Sequence, residues 1–280
     1  MQRLTFLTTS LATLARAGDT DPQLAALERR SGGRLGVYAL DTGSGREITY
    51  RAHERFPMCS TFKLMLAGAV LDRVDAHNED LARVVGYGDA DMIANSPITK
   101  AHLTFASMTV AQLCAAAIEQ SDNTAANLLL HSLLGPAGVT KFARKIGDQA
   151  TRFDRNEPSC NTAIPGDPRD TTTPAAYAAD ARALLFGNVL APRLRARLRT
   201  WLLACETGKA RLQAGFPATW KAGDKTGTGD HGTANDVAIL WPPNRAPIVV
   251  AAYHTGSTAT PDAQNAVLAD IGRIVYQRLR

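Results

Sequence analysis

Ser60 and Lys63 stand one helical turn apart in Ser60-Thr61-Phe62-Lys63, a spacing that lets an amine approach a hydroxyl and so could serve acyl transfer. An unaided serine hydroxyl is a poor nucleophile near neutral pH and needs a proton acceptor within hydrogen-bond reach. Further along the chain lie Ser121-Asp122-Asn123, Glu157-Pro158-Ser159-Cys160-Asn161 and Lys225-Thr226-Gly227. From these, Lys63, Glu157 and Ser121 are the candidate proton handlers. Cleaving an amide through an acyl-enzyme also takes an acid for the leaving nitrogen, an oxyanion hole and a water for the second half. A Ser-x-x-Lys alone is common; four such fragments in one chain carry the signal.

The elements around these fragments can be read from periodicity. Phe62, Leu66, Ala69, Val70 and Val74 fall on one face, which predicts a buried helix starting at Ser60. Thr109-Val110-Ala111-Gln112 has the form of a capping box opening a helix through Gln120. The next helix is expected from near Thr124 to just before Gly135-Pro136-Ala137-Gly138, leaving Ser121-Asp122-Asn123 in the connection. Residues 152–170 show no period, contain prolines and are rich in polar groups, the composition of a compact surface loop that carries function. Thr173-Pro174 then opens a helix closed at Gly187.

Both ends of the chain read as sheet. After a short helix from Pro22 to Arg30, Arg34 to Leu40 and Glu47 to Arg51 alternate around the turn Asp41-Thr42-Gly43-Ser44-Gly45 as a hairpin. Gly223 to Thr228, Val237 to Trp241 and Pro247 to Tyr253 read as further strands, followed by an amphipathic helix with Val267, Ile271, Ile274, Val275 and Leu279 on one face. The expected fold is α/β: an antiparallel sheet flanked by helices, with an inserted mostly helical lobe. Residues 18–55 and 208–280 would form the α/β lobe and 56–207 the helical lobe, including loop 152–170, with a cleft between them.

Composition narrows the class. A chain of 280 residues with 45% hydrophobic and 20% charged residues can bury a full core. The net charge of +5 is scattered, with no basic run longer than a pair such as Arg29-Arg30, so nucleic acid is not an expected partner. Residues 1–17, with Arg3, the apolar stretch Leu4 to Leu14 and Ala15-Arg16-Ala17, have the pattern of a signal peptide. Export is therefore expected, to the periplasm in a Gram-negative cell. No later stretch reaches the ~20 apolar residues of a membrane span. Cys59, Cys114, Cys160 and Cys205 lack metal-ligand spacing, so neither metal nor other cofactor is expected.

Taken together, the four fragments resemble those of the class A serine β-lactamases, and the resemblance runs over nearly the whole chain. It implies hydrolysis of the β-lactam ring of penicillins and cephalosporins, and hence antibiotic resistance. Ser60 would be the nucleophile, with the N–H groups of Ser60 and Thr228 as oxyanion hole. Either Lys63 or Glu157 would take the first proton, and Glu157 would deacylate through a water held by Asn161. Ser121 would pass a proton to the leaving nitrogen, and Asn123 would hold Lys63 and the substrate amide. The substrate carboxylate would meet the Lys225-Thr226-Gly227 strand, Thr228 and Arg211, the last standing in for an arginine that other members carry where this chain has Ala234.

The same resemblance pairs Arg155 with Asp170 as a brace for the loop. It also sets Thr228 and Asp230 at positions found in enzymes with broad cephalosporin activity. Disulfides known in relatives cannot form, because Gly229 and Ala67 occupy the partner positions of Cys59 and Cys114. Cys160 departs from the usual leucine; it is expected to pack as a small hydrophobe, near enough to Cys59 for the thiols to interact. A penicillin-binding D,D-peptidase and a noncatalytic β-lactam sensor share the nucleophile motif, but Glu157 with Asn161 argues for the hydrolase. A monomer is the default expectation.

Overall fold

The structure, a computed structural model, describes residues 21–280; the signal segment expected at 1–17 lies outside the described residues. The order is α1 (Pro22–Ser31), β1 (Arg34–Asp41), β2 (Glu47–Tyr50), β3 (Phe56–Pro57), α2 (Phe62–Asp75), β4 (Val84–Gly86), α3 (Pro97–Ala101) and β5 (Ser107–Thr109). Then come α4 (Val110–Glu119), α5 (Asn123–Ser132), α6 (Pro136–Lys145), β6 (Thr171–Thr172), α7 (Pro174–Phe186) and α8 (Pro192–Leu203). The chain closes with β7 (Lys221–Gly229), β8 (Thr233–Trp241), β9 (Ile248–Thr255) and α9 (Pro261–Leu279).

The two ends of the chain build one antiparallel sheet in the order β2-β1-β9-β8-β7. Strand alternation sends side chains to two cores. Leu35, Val37, Ile248, Val250 and Leu240 pack with Leu24 and Leu27 of α1 and Leu268, Ile271 and Val275 of α9. Val249, Ala251, Tyr253, Val237 and Ile239 face the other way, into the larger core that holds the middle helices. Because β8 and β9 are covered on both sides, they are buried almost throughout.

Within that larger core α2 is the hub: every residue from Phe62 to Leu71 is buried. The sequence pattern predicts a single apolar face, but Leu64, Met65, Ala67 and Gly68 complete an apolar circumference, as a fully enclosed helix requires. Two further expectations need correction. The helix does not start at Ser60, since Cys59–Thr61 form a separate 3-10 turn ahead of it. Gly135-Pro136 does not merely end α5, because Pro136 is the first residue of α6, where its fixed φ and missing N–H cost nothing. The pair β3–β6 joins the segment before Ser60 to the end of the 152–170 loop through Phe56 opposite Thr172.

Candidate active site

The backbone around Ser60 is held from three sides. Asn235 on β8 donates through Nδ2 to the carbonyls of Pro57 (2.8 Å) and Met58 (3.1 Å). The Tyr177 hydroxyl of α7 donates to the carbonyl of Thr61. From the third side β7 lies so close that a Cβ on Gly227 would stand 2.6 Å from the Met58 carbonyl oxygen. Only glycine permits that approach, which sets Thr228 beside the nucleophile turn. Cys59 has φ 46° and Ser121 φ 55°, left-handed values that cost a non-glycine residue about 1–2 kcal/mol each. Both strained residues border the reacting groups.

Three of the four sequence fragments meet at the Lys63 ammonium, whose side chain is fully buried. Nζ lies 3.0 Å from Ser60 Oγ, 2.7 Å from the Ser121 carbonyl, 3.4 Å from Ser121 Oγ and 2.6 Å from Asn123 Oδ1. It also lies 3.0 Å from Glu157 Oε1, and that same oxygen accepts from Ser60 Oγ at 3.0 Å. Asn161 Nδ2 donates to the other oxygen, Oε2. Burial opposes the charge on Glu157, but the Lys63 ammonium and the bonds from Lys63, Ser60 and the Cys160 thiol outweigh it and hold its pKa below the usual glutamate value.

Glu157 owes its place to polar anchors. Asn127 on α5 clamps its backbone, accepting from Glu157 N–H at 3.0 Å and donating to its carbonyl at 3.0 Å. Asp170 Oδ1 accepts from the N–H groups of Asp154 (2.7 Å) and Arg155 (3.0 Å), while Oδ2 takes Arg155 Nε at 2.6 Å. The carbonyl of Asp170 receives Met58 N–H at 2.9 Å, tying the loop to the nucleophile turn. Phe153 adds one apolar fastening by stacking on Phe62 with ring centroids 4.0 Å apart.

The opposite wall is β7. Lys225 is fully buried; its Nζ donates to Ser121 Oγ at 3.0 Å, and burial brings its pKa down to about 7. Thr226 Oγ1 shares a 2.6 Å hydrogen bond with Thr207. Arg211, in the connection before β7, donates to Thr228 Oγ1 (2.7 Å), to the carbonyls of Gly227 (2.9 Å) and Asn235 (2.7 Å), and to Asn265 Oδ1 (2.9 Å). Between the walls lies a cleft of about 680 Å³ lined by Ser60, Ser121, Asn123, Asn161, Thr226 and Thr228 among others, within the usual range for small-molecule sites. Among the described residues no group of His, Cys, Asp and Glu is arranged to hold a metal ion.

All four cysteines are free and buried. Cys160 is more than a filler: its thiol lies 3.7 Å from Asn161 Oδ1, and its nearness helps keep the Glu157 carboxylate ionised. Burial pushes the thiols of Cys59 and Cys160 well up, so both stay protonated and unreactive. Sequence reasoning passed over Asn127 and Asn235, although Asn127 is a lone amide in the apolar run Ala125 to Leu130 and Asn235 lies near the start of a strand that is otherwise mostly apolar. An amide set among buried apolar neighbours must find partners, and that was the available signal.

Fold and site together define a serine hydrolase built for acyl transfer. The family model described as the beta-lactamase enzyme family matches residues 19–279, and the chain belongs to that family, in its class A branch. It is 47% identical to beta-lactamase CTX-M-8 of Citrobacter amalonaticus, over 98% of this chain and 97% of that protein. With beta-lactamase AST-1 of Nocardia asteroides the identity is 50%, over 98% of this chain and 87% of the relative. Among solved structures, the last common ancestor of Gram-negative bacteria (GNCA4) beta-lactamase class A superposes with a TM-score of 0.91 at 60% identity, covering 92% of this chain and 98% of that one. The protein is thus an antibiotic-hydrolysing enzyme of the resistance type.

Proposed function

We propose that Ser60 attacks the β-lactam carbonyl and that Glu157 is the base for both halves of the reaction. The observation that carries this is the single oxygen Glu157 Oε1, 3.0 Å from Ser60 Oγ and 3.0 Å from Lys63 Nζ. Lys63 Nζ faces the acceptors Ser121 O, Asn123 Oδ1 and Glu157 Oε1, which match the three N–H groups of an ammonium and leave no lone pair to take the Ser60 proton. As the bond from Ser60 Oγ to the carbonyl carbon forms, the hydroxyl proton passes to Glu157. The carbonyl oxygen draws the electrons toward the N–H groups of Ser60 and Thr228. When the C–N bond breaks, the lactam nitrogen takes the Ser121 proton; Lys63 replaces it, and Glu157 returns its own to Lys63.

Deacylation repeats the chemistry with water. Glu157 takes a proton from a water oriented by Asn161 as the water oxygen bonds to the ester carbon, and when the bond from that carbon to Ser60 Oγ breaks Glu157 hands the proton to the leaving Oγ, 3.0 Å from its Oε1. The substrate carboxylate is received by Lys225, Thr226 and Thr228, with Arg211 behind them and Gly227 giving room; Asn123 holds the side-chain amide. Glu157 with Asn161 supports a hydrolase over a D,D-peptidase, whose acyl-enzyme lacks a deacylating carboxylate. Thr228 and Asp230 favour cephalosporins beside penicillins. The lobe division at 55/56 and 207/208, export through residues 1–17 and a monomeric state belong to the same reading; no helix among the described residues is long and apolar enough to cross a membrane.

Mass spectrometry with benzylpenicillin tests the roles. Ser60→Ala forms no adduct, whereas Glu157→Gln, without its base in either half, acylates at least tenfold more slowly than wild type and clears the adduct more slowly still, so that a covalent acyl-enzyme builds up over minutes. Normal turnover by Glu157→Gln overturns the assignment of the base.

A further inference from the structure

Building on that reading, we propose that Lys100 receives a second carboxylate on the substrate's acyl side chain, so that the cleft favours dianionic over monoanionic penicillins. The residues lining the cleft include two cations, Lys100 and Arg211, and neither Asp nor Glu. Arg211 is already committed to Thr228, Asn265 and two main-chain carbonyls. Lys100 is exposed at the rim, and the lysine ion pairs among the described residues are those of Lys63 and Lys145. Its charge therefore faces the cleft without a protein carboxylate to answer it.

The position of Lys100 is fixed by the catalytic segment itself. It lies on α3, whose first turn is tied to Asp122: Oδ2 accepts from Ile98 N–H and Thr99 N–H, both at 2.9 Å, and Oδ1 from Thr99 Oγ1 at 2.9 Å. The strand of wall before it is held by Asn123, which donates from its main-chain N–H to the Asn95 carbonyl (3.1 Å) and from Nδ2 to the Ala94 carbonyl (3.0 Å). Residues 121–123 and the rim thus form one rigid piece, the kind of support that lets a charged group discriminate.

Substrate geometry brings the second charge to this wall. In a penicillin the ring carboxylate and the acylamino side chain extend to opposite sides of the lactam. With the ring carboxylate on β7 and the carbonyl at Ser60, the side chain runs toward Asn123, Asn161 and the Ile93–Lys100 wall. That wall offers Ala94, Asn95 and Ser96, and no residue lining the cleft is aromatic, so ring stacking cannot sort side chains. Charge is the remaining discriminator.

Carbenicillin and benzylpenicillin differ by one carboxylate on the side chain and serve as the probes. The quantity to read is the ratio of their kcat/KM values, carbenicillin over benzylpenicillin. For an ion pair at an exposed rim, Lys100→Gln lowers the ratio about threefold and Lys100→Glu about tenfold. Addition of about 0.5 M NaCl shrinks the wild-type preference toward the Lys100→Gln value, since an exposed pair is screened. An unmoved ratio in both variants, with both penicillins turned over, overturns this inference alone. Failure of the wild-type protein to turn over either penicillin overturns the functional reading and this inference with it.

Discussion

The proposed nucleophile and base stand on elements held in opposite ways. Lys63 rides on α2 and Ser60 on the turn that leads into it, a helix buried on every side by apolar neighbours, while Glu157 rides on a segment whose regular structure there is one 3-10 turn. The loop is fastened by the Asn127 clamp, the Arg155–Asp170 pair and bonds to main-chain N–H groups. Apolar burial responds little to pH or salt, whereas carboxylate anchors respond to both. The two elements accordingly fail under different insults: overall unfolding removes the whole cycle, whereas a loosened loop misplaces both Glu157 and its water and so removes deacylation first.

The largest effect that sharpens this contrast comes from the helix. Leu66→Ala costs about 2–5 kcal/mol of stability by opening a cavity in α2's surroundings, read as a lower urea midpoint, while the molecules still folded keep a normal ratio of deacylation to acylation. Asp170→Asn does the reverse. Because burial already disfavours the Asp170 charge, the neutral isostere shifts stability by only about 1 kcal/mol, and it slows deacylation about tenfold, so acyl-enzyme accumulates at steady state in quenched-flow mass spectra. If Asp170→Asn unfolds the protein and Leu66→Ala spares it, the contrast is wrong.

Acid should separate the anchors in the same order. Burial raises the Asp170 carboxyl even against its bonds from Asp154, Arg155 and the Arg155 guanidinium, whereas Glu157 is held low. On acidification Asp170 takes its proton first, and the brace is lost before the base. The acid limb of kcat then starts above the usual carboxylate range of about 4, and it moves to lower pH in Asp170→Asn. For stability the signs differ. The contribution of Glu157 is present above its unfolded pKa and lost as pH falls through its lower folded value, while Asp170 alone favours the folded state in mild acid.

On the basic side Lys225 dominates. Its folded pKa of about 7 lies below the unfolded value of about 10.4, so between them the unfolded chain binds the extra proton and this group's contribution to stability rises with pH. Substrate binding follows the opposite course: KM for benzylpenicillin climbs above pH 7 as the free enzyme loses the ammonium that meets the carboxylate. The smallest effect belongs to Cys160. Cys160→Ala removes the S–H donor beside Asn161 and Glu157 and lowers kcat about threefold, with KM falling alongside, and Cys160→Ser restores both.

What was legible in the sequence follows the same division. Apolar periodicity disclosed the sheet strands and α2, and the spacing of Ser60 to Lys63 disclosed their neighbourhood, because these rest on local pattern. The two-sided burial of α2 was hidden, since Ala67 and Gly68 read as weakly apolar yet border other helices. Pro136 read as a stop because a helix end and a helix start use the same residues. The anchors of the loop were half visible: Arg155 and Asp170 came through family resemblance, but Asn127 acts from a distant helix and leaves no local signature. Cys160 read as packing because a thiol's single proton has no pattern in sequence at all.

Asp170 ties the two sides of the reaction together. Its carbonyl carries the turn before Ser60 and its carboxylate carries the segment before Glu157, so one residue spans from one reacting group to the other without touching either. The room left for a water molecule is gauged by that span. Enlarging the pocket for bulkier antibiotics by shifting the loop would widen the gauge as well, so breadth of substrate and speed of release are geared to each other through a part that takes no share in the chemistry.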